Sequence, residues 1–385
     1  MPTKEVYRSH LNLAMGIYIH IPFCKQKCSY CDFHFSTSFE AYRWQMVEAL
    51  CTEIELRKNY INPCIPSIYF GGGTPSLLNK EELSLIFSTL SSHFLWDESA
   101  EITLEANPDD ITDEKLAIWK SVGINRLSIG LQSFKEEDLL MMNRAHNANE
   151  ALTAVEKAKS AGIDKISIDL MYGLPNLSLD EWKNHILQAI ALDVDHISAY
   201  CLTLEKGTLL QQQVTKGSII AAGEDAQSDQ FVLLLETLAS NEYEQYEISN
   251  FARNNAYAVH NTSYWLGKPY LGIGPSAHSF NGTERRWNIA NNASYMKSMG
   301  LNDSWFEAEI LSDKDRWNEL ILTGLRTKFG VQLDELSAIK KPSPEFLQRL
   351  AEFEQANLII NINETITLTT AGKLQADYIA SELFL

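Results

Sequence analysis

The stretch Tyr18-Ile19-His20-Ile21-Pro22-Phe23-Cys24-Lys25-Gln26-Lys27-Cys28-Ser29-Tyr30-Cys31 constrains this chain more than any other. Ile17 to Ile21 is a β-branched apolar run closed by Pro22, which reads as a short buried strand. The strand delivers three cysteines, in a C-x3-C-x2-C spacing, onto the loop that follows it. Three thiolates so close together converge on something small and thiophilic. A structural zinc site wants four protein ligands; a second CxxC pair is missing, and His20 and His34 are the nearest candidates for a fourth. A disulfide framework fails on parity and on the lack of a signal peptide. A 4Fe–4S cluster on three cysteines, with one iron open to an exogenous ligand, is the preferred reading. Zinc through His34 and inert packed thiols are the alternatives.

A chain of 385 residues is long for one core and suggests a large α/β domain plus a smaller one. The formal net charge of −18 argues against broad nucleic-acid binding, which needs a basic footprint. It leaves room for a small anionic ligand in a local pocket. No apolar run approaches the roughly 18 residues of a membrane-spanning helix. Half of the six cysteines lie in the loop, which points to a reducing cytoplasm. Cys51 in a helical pattern, Cys64 in a loop and Cys201 in an apolar strand read as packed or incidental thiols.

Beyond the loop, Ala41 to Lys58 has helical periodicity, with Trp44, Val47, Leu50, Cys51 and Ile54 on one face. A repeating unit follows. Strands at Ser67–Phe70, Glu101–Glu105, Arg126–Leu131, Lys165–Leu170 and His196–Leu202 alternate with helical stretches, and Tyr243–Ile248 is strand-like. Such alternation implies a parallel sheet with right-handed crossovers. No Gly-x-Gly-x-x-Gly opens the first helix, and polar residues cluster where strands end. The expected fold is α/β, a partial (β/α)6-type barrel with its site at the C-terminal face. Residues 1–300 are assigned to it. From 301 to 385 three helices and a hairpin, Leu358–Ile362 and Thr365–Leu368 around Asn363-Glu364, predict a small winged-helix-like domain. Acidic residues outnumber basic ones there, so a packing lid on the barrel is expected rather than a DNA reader.

Gly71-Gly72-Gly73-Thr74-Pro75 directly follows a strand and removes side chains where a ligand must approach the backbone, or where the chain merely turns tightly. Glu105 and Asp169 end separate strands and offer acceptor-only carboxylates to a ribose or ammonium group. Gln132 and Arg144 complete the ring.

With the aromatics Tyr18, Phe23 and Tyr30, the cysteine spacing resembles the radical S-adenosylmethionine (SAM) superfamily. There SAM chelates the open iron, and an electron from the cluster yields a 5′-deoxyadenosyl radical. The ordered motifs YIHIPFCKQKCSYCDF, YFGGGTP, LEANP, GLQSF, MNRAH and IDLMYGLP resemble a narrower family, the oxygen-independent coproporphyrinogen III oxidases and their HemW-type haem-chaperone branch. The resemblance implies a cluster on Cys24, Cys28 and Cys31. It implies SAM contacts from Tyr18, Tyr30, Gly72, Gly73, Thr74, Glu105, Gln132, Arg144 and Asp169, with one or two SAM molecules.

Two departures separate this chain from the oxidases. Those enzymes carry a further cysteine two positions after the third, where Asp32 and Phe33 follow Cys31 here, and they have a longer arm before the loop. The positive sign is His260-Asn261-Thr262-Ser263-Tyr264, which matches the HNxxY motif of the haem-chaperone branch. The expected haem residues are His260, Asn261 and Tyr264, with His278 as a secondary ligand; Arg285 and Arg286 are candidates for the propionates. The expected function is a cytoplasmic haem chaperone delivering haem to acceptor haemoproteins, with no nucleic-acid partner. Monomer, dimer and peripheral membrane contact are all compatible with the sequence, as is SAM cleavage. The alternative is oxidative decarboxylation of coproporphyrinogen III to protoporphyrinogen IX.

Overall fold

The computed structural model describes residues 16–301 and 304–385. The segment ahead of the first strand, on which the arm comparison rests, lies outside the described residues. Six strands run parallel in chain order: β1 (Gly16–Ile21), β2 (Ser67–Gly72), β3 (Glu101–Ala106), β4 (Arg126–Gln132), β5 (Lys165–Tyr172) and β6 (His196–Cys201). Helices fill the crossovers, among them Arg43–Leu56, Lys80–His93, Asp113–Ser121, Ala148–Ser160 and Leu179–Ala191. Their starts obey local chemistry. Asn79, Asn147 and Ser178 each close a capping box with a glutamate three residues on, satisfying amide groups the helix leaves bare.

Every strand alternates. One face carries Ile17, Ile19, Ile68, Phe70, Ile102, Leu104, Leu127, Ile129, Ile166, Ile168 and Ile197, all buried under the helices. The opposite face carries Tyr18, Tyr69, Glu105, Ser128, Asp169 and Ser198, which border a cavity. A parallel sheet normally buries apolar residues on both faces. Here only the convex face does, so the concave side stays polar.

The sheet continues past the six. β7 (Glu244–Glu247) and β8 (Asn250–Ala252) form a tight antiparallel pair on the β6 edge. β9 (Tyr270–Ile273) lies parallel to β1, and β10 (His278–Phe280), β11 (Glu284–Asn288) and β12 (Phe306–Ile310) extend that side antiparallel. The order is β12-β11-β10-β9-β1-β2-β3-β4-β5-β6-β8-β7, so the barrel is open between its outer edges. The seventh parallel strand is therefore β9. The segment at 243–248 is antiparallel instead, because two residues between β7 and β8 allow only a tight turn, whereas a parallel crossover needs about a dozen.

Two details differ from the sequence reading. Trp44 is 46% exposed, its indole Nε1 donating to Glu48, while Met46 takes the buried place beside Val47, Leu50 and Ile54. The C-terminal unit has its own core around Trp317, Ile321, Leu350, Phe353, Ile366 and Ile379. A short strand β13 (Val331–Gln332) joins the hairpin β14 (Ile359–Ile362) and β15 (Thr365–Leu368) in a three-stranded sheet. This unit is not a lid over the cavity. It docks along β7, where the Ile248 N–H donates to the Arg326 carbonyl and the Lys328 N–H to the Tyr246 carbonyl. Among the described residues, none beyond His278 borders either of the two main cavities. No helix among them is long and apolar enough to cross a membrane.

Candidate functional site

Two adjoining cavities occupy the concave face, of about 710 Å³ and 440 Å³. They share Asp32, Phe33, Gly72, Glu105, Ser128, Asp169 and Tyr200, so they form one continuous lumen. The smaller part opens at the C-terminal ends of the strands and is bordered by Cys24, Cys28 and Cys31. The larger runs down to the strand beginnings, where Arg126, Ser167, His196 and His260 form the floor.

Three of the sequence motifs fasten the cysteine loop. The Gly73 and Thr74 amides donate to the Ile21 and Phe23 carbonyls at 2.9 and 2.6 Å. A Cβ on Gly73 would fall 2.6 Å from the Phe23 oxygen, and one on Gly72, whose φ is +103°, would strike the His20 ring. These glycines thus answer to the protein's own packing as well as bordering the cavity. The turn at Asn143-Arg144 forms a second anchor: Asn143 Nδ2 donates to the Lys27 carbonyl, and Ser29 N–H to that of Met142. Lys25 forms ion pairs with Asp109 and Asp110, just after the LEANP segment.

The donor set fits an iron–sulfur cluster. Thr74 Oγ1 donates to Cys24 Sγ at 3.4 Å and Arg144 Nη1 to Cys28 Sγ at 3.5 Å, contacts that favour thiolates. Burial pushes the Cys24 thiol up to about 12 and Cys31 to about 11; a soft metal bound there offsets such burial. Zinc finds less. His20 holds Tyr18 Oη at 3.0 Å and the His34 carbonyl at 2.8 Å, and His34 Nε2 meets Asn292 Oδ1 at 2.7 Å. Among the described residues no three His, Cys, Asp or Glu side chains gather closely enough to hold a single metal ion.

Around the cysteine end, Tyr30, Gly72, Gly73, Thr74, Glu105, Gln132, Arg144 and Asp169 all border the smaller cavity, whereas Tyr18 borders the larger one. Glu105 accepts from Tyr69 Oη at 2.8 Å and the Gly72 amide at 3.2 Å. Burial nevertheless lifts its carboxyl to about 7, and lifts Asp169 to about 6. Arg144 is held by the Asn107 side chain and the Gly130 carbonyl, and its Nε is buried with no hydrogen-bond partner. Gln132 sits at φ +66° where the β4–β5 register shifts, an uncommon conformation for a non-glycine residue. This end can hold a ligand carrying both cationic and anionic groups.

The other end belongs to the helix Val259–Trp265, whose first amides donate to the Glu101 carboxylate at 3.0 and 3.1 Å. His260 Nδ1 lies 3.0 Å from Ser67 Oγ, and its ring stacks on Tyr69 at 5.2 Å. Burial, reinforced by Arg126, lowers its pKa to about 4, so the imidazole is neutral at physiological pH. Asn261 and Tyr264 line the same end, with Tyr264 49% exposed against Tyr270. His278 opens β10, paired with Trp287, and borders the cavity just after a loop whose Gly274 amide is anchored to buried Glu53. Arg285 and Arg286 do not reach the lumen: they pair with Glu309, Glu319 and Glu284 at the β11 edge.

The sequence motifs missed most of the lumen wall. Arg126, Ser128, Ser167, His196, Ser198, Tyr200 and Asn250 carry no motif signal, and Tyr69, though it opens YFGGGTP, was not singled out. The signal that could have found them is their period-two polarity within strands that are otherwise apolar.

A radical SAM superfamily model matches residues 18–189, and a HemN C-terminal domain model matches 311–374. The chain is 32% identical to the heme chaperone HemW of Mycobacterium tuberculosis, over 96% of this chain and 94% of that one. It is 33% identical to the heme chaperone HemW of Haemophilus influenzae, over 96% and 98%. Among solved structures, the coproporphyrinogen III oxidase HemN of Escherichia coli superposes with a TM-score of 0.84 at 21% identity, covering 100% of this chain and 94% of that one. That likeness shows the shared fold.

Proposed function

We propose, for a chain that belongs to the HemW haem-chaperone family of radical SAM proteins, that it binds a 4Fe–4S cluster, SAM and haem and hands haem to acceptor haemoproteins. One observation carries this reading: a single lumen is bordered at one end by Cys24, Cys28 and Cys31 and at the other by His260.

Cys24, Cys28 and Cys31 would hold the cluster, and Tyr30, Gly72, Gly73, Thr74, Glu105, Gln132, Arg144 and Asp169 would surround SAM. When bound, the cluster supplies SAM with a single electron. Arg144 suits a carboxylate through its planar fork, and Glu105 and Asp169 suit hydroxyl or ammonium groups as acceptors. Tyr18 stands on the haem side of Glu105. At the floor, Ser67 holds Nδ1 of His260, which leaves Nε2 as the nitrogen free to ligate iron. Tyr69 keeps that ring in place by stacking. Asn261 and Tyr264 would border the haem edge, with His278 the further candidate ligand.

Anaerobically purified, cluster-loaded protein titrated with haem should develop a haem absorption band, and His260→Ala should weaken uptake about tenfold or more. Undiminished uptake in that variant would remove the motif from the mechanism. The oxidase alternative has less support, since Asp32 and exposed Phe33 border the lumen where the oxidases carry their further cysteine. Release of carbon dioxide from coproporphyrinogen III, given SAM and a reductant, would restore it.

A further inference from the structure

We infer that Arg126 is a carboxylate-binding subsite on the floor of the lumen, and that it takes a propionate of haem bound beside His260. The inference rests on the haem reading above.

Arg126 opens β4 and is only 5% exposed, yet it borders the larger cavity. Among the described residues it forms an ion pair with Glu101 at 3.7 Å, beyond hydrogen-bond reach, and its charge also acts on the Asp169 carboxyl across the cavity wall. Glu101 is already engaged, because its two oxygens accept the Val259 and His260 amides. The neighbouring polar groups are likewise satisfied by one another. His196 bridges Ser167 Oγ at 2.7 Å and Tyr246 Oη at 2.8 Å. A guanidinium cannot shed its proton, and the Glu101 carboxylate paired with it is already taken up by two amides, so the fork has donors to offer an acceptor entering the cavity. Buried cations in proteins are paired or ligand-bound, and a planar fork matches a carboxylate by two parallel hydrogen bonds.

Two carboxylate sources are at hand, the haem propionates and the carboxylate of SAM. Position favours the first. Arg126 stands at the beginning of β4, and the cysteine loop follows the end of β1, so the length of a strand, about 15–20 Å, separates the two levels. His260 stands on the Arg126 level, beside Ser67 and Gly16 at the starts of β2 and β1. A single molecule whose metal meets His260 and whose acidic arm meets Arg126 fills the floor.

The test compares haem with its dimethyl ester, which keeps the iron and lacks both carboxylates, on cluster-loaded full-length protein. Wild-type protein is expected to bind the acid about tenfold more tightly than the ester. Arg126→Gln should lose that preference while binding the ester as wild type does, and Arg126→Lys should keep part of it. SAM retention in equilibrium dialysis should be unchanged in Arg126→Gln. Equal affinity of wild type for acid and ester, or equal loss of both in Arg126→Gln, overturns the subsite and leaves the haem reading standing. Loss of SAM with the acid preference intact overturns it in favour of the other carboxylate. Wild-type protein that takes up neither compound overturns the haem reading and this inference with it.

Discussion

Gly73 shows how much a missing side chain decides at the mouth of the lumen. Its amide donates to the Ile21 carbonyl, and an added Cβ would lie 2.6 Å from the Phe23 oxygen and 2.7 Å from that of Ile21. Both neighbours are backbone, so neither can rotate away. Gly73→Ala is therefore expected to destabilise the protein by about 1–3 kcal/mol and to shift the loop that carries Cys24. Thermal melting would register the first effect, and iron and sulfide content of anaerobically purified protein the second. Normal values of both would show the loop to be freer than its contacts imply. At this scale the sequence was legible where residue type is restrictive: three cysteines stand out unaided, whereas the glycine run and the His-Asn pair acquire meaning only beside them and the motifs that resemble a known family. Arg126 and His196 did not stand out, because a charged residue at a strand start reads as ordinary solvent-facing polarity until the sheet curves and encloses it.

At the scale of elements, the strands and helices of the barrel were legible because periodicity and caps act locally. The order of the outer strands was not, since β9 returns beside β1 from a point in the chain some two hundred and fifty residues later. The terminal hairpin was legible from its turn, and the backbone there makes a stability prediction. Asn363 and Glu364 have φ of +52° and +62°, the two positive values of a type I′ turn. Asparagine adopts this conformation readily and glutamate only at a cost, so Glu364→Gly is expected to stabilise the C-terminal unit by about 1 kcal/mol. The contact from the Leu333 amide to the residue 364 carbonyl is backbone and survives the change. Denaturant unfolding of the full chain, followed by Trp317 fluorescence in a background lacking the other tryptophans, would measure it. A lower midpoint would count against this turn geometry.

For the whole molecule, titratable groups enclosed in the lumen wall and, with His146, just behind it couple folding to pH in two opposite senses. Burial lowers His20, His146 and His260 to about 4 each. The unfolded chain, with histidines near 6.5, then binds more protons, so their contribution is complete above about 6.5 and is lost as pH falls through 4. Burial raises Glu105 to about 7 and Asp169 to about 6. Here the folded chain binds the extra protons, so stability is complete below about 4 and declines as pH rises through 6 to 7. The two windows overlap almost entirely between pH 4.5 and 6.5, and the groups partly cancel there. Three histidines outweigh two carboxylates, so ligand-free wild type is expected still to gain stability with rising pH over that range, by about 1.4 kcal/mol per pH unit. Removing one side of the balance exposes the other. Glu105→Gln should gain stability with rising pH more steeply than wild type, by about 1.4 kcal/mol per pH unit, and His260→Gln should gain it less steeply. Urea midpoints at half-unit steps from pH 4.5 to 6.5 would resolve both slopes. Parallel curves for the three proteins would mean that water reaches these groups in the folded state. A polar concave face on a parallel sheet would then be a solvent channel in which Glu105, Asp169 and His260 keep their ordinary hydration.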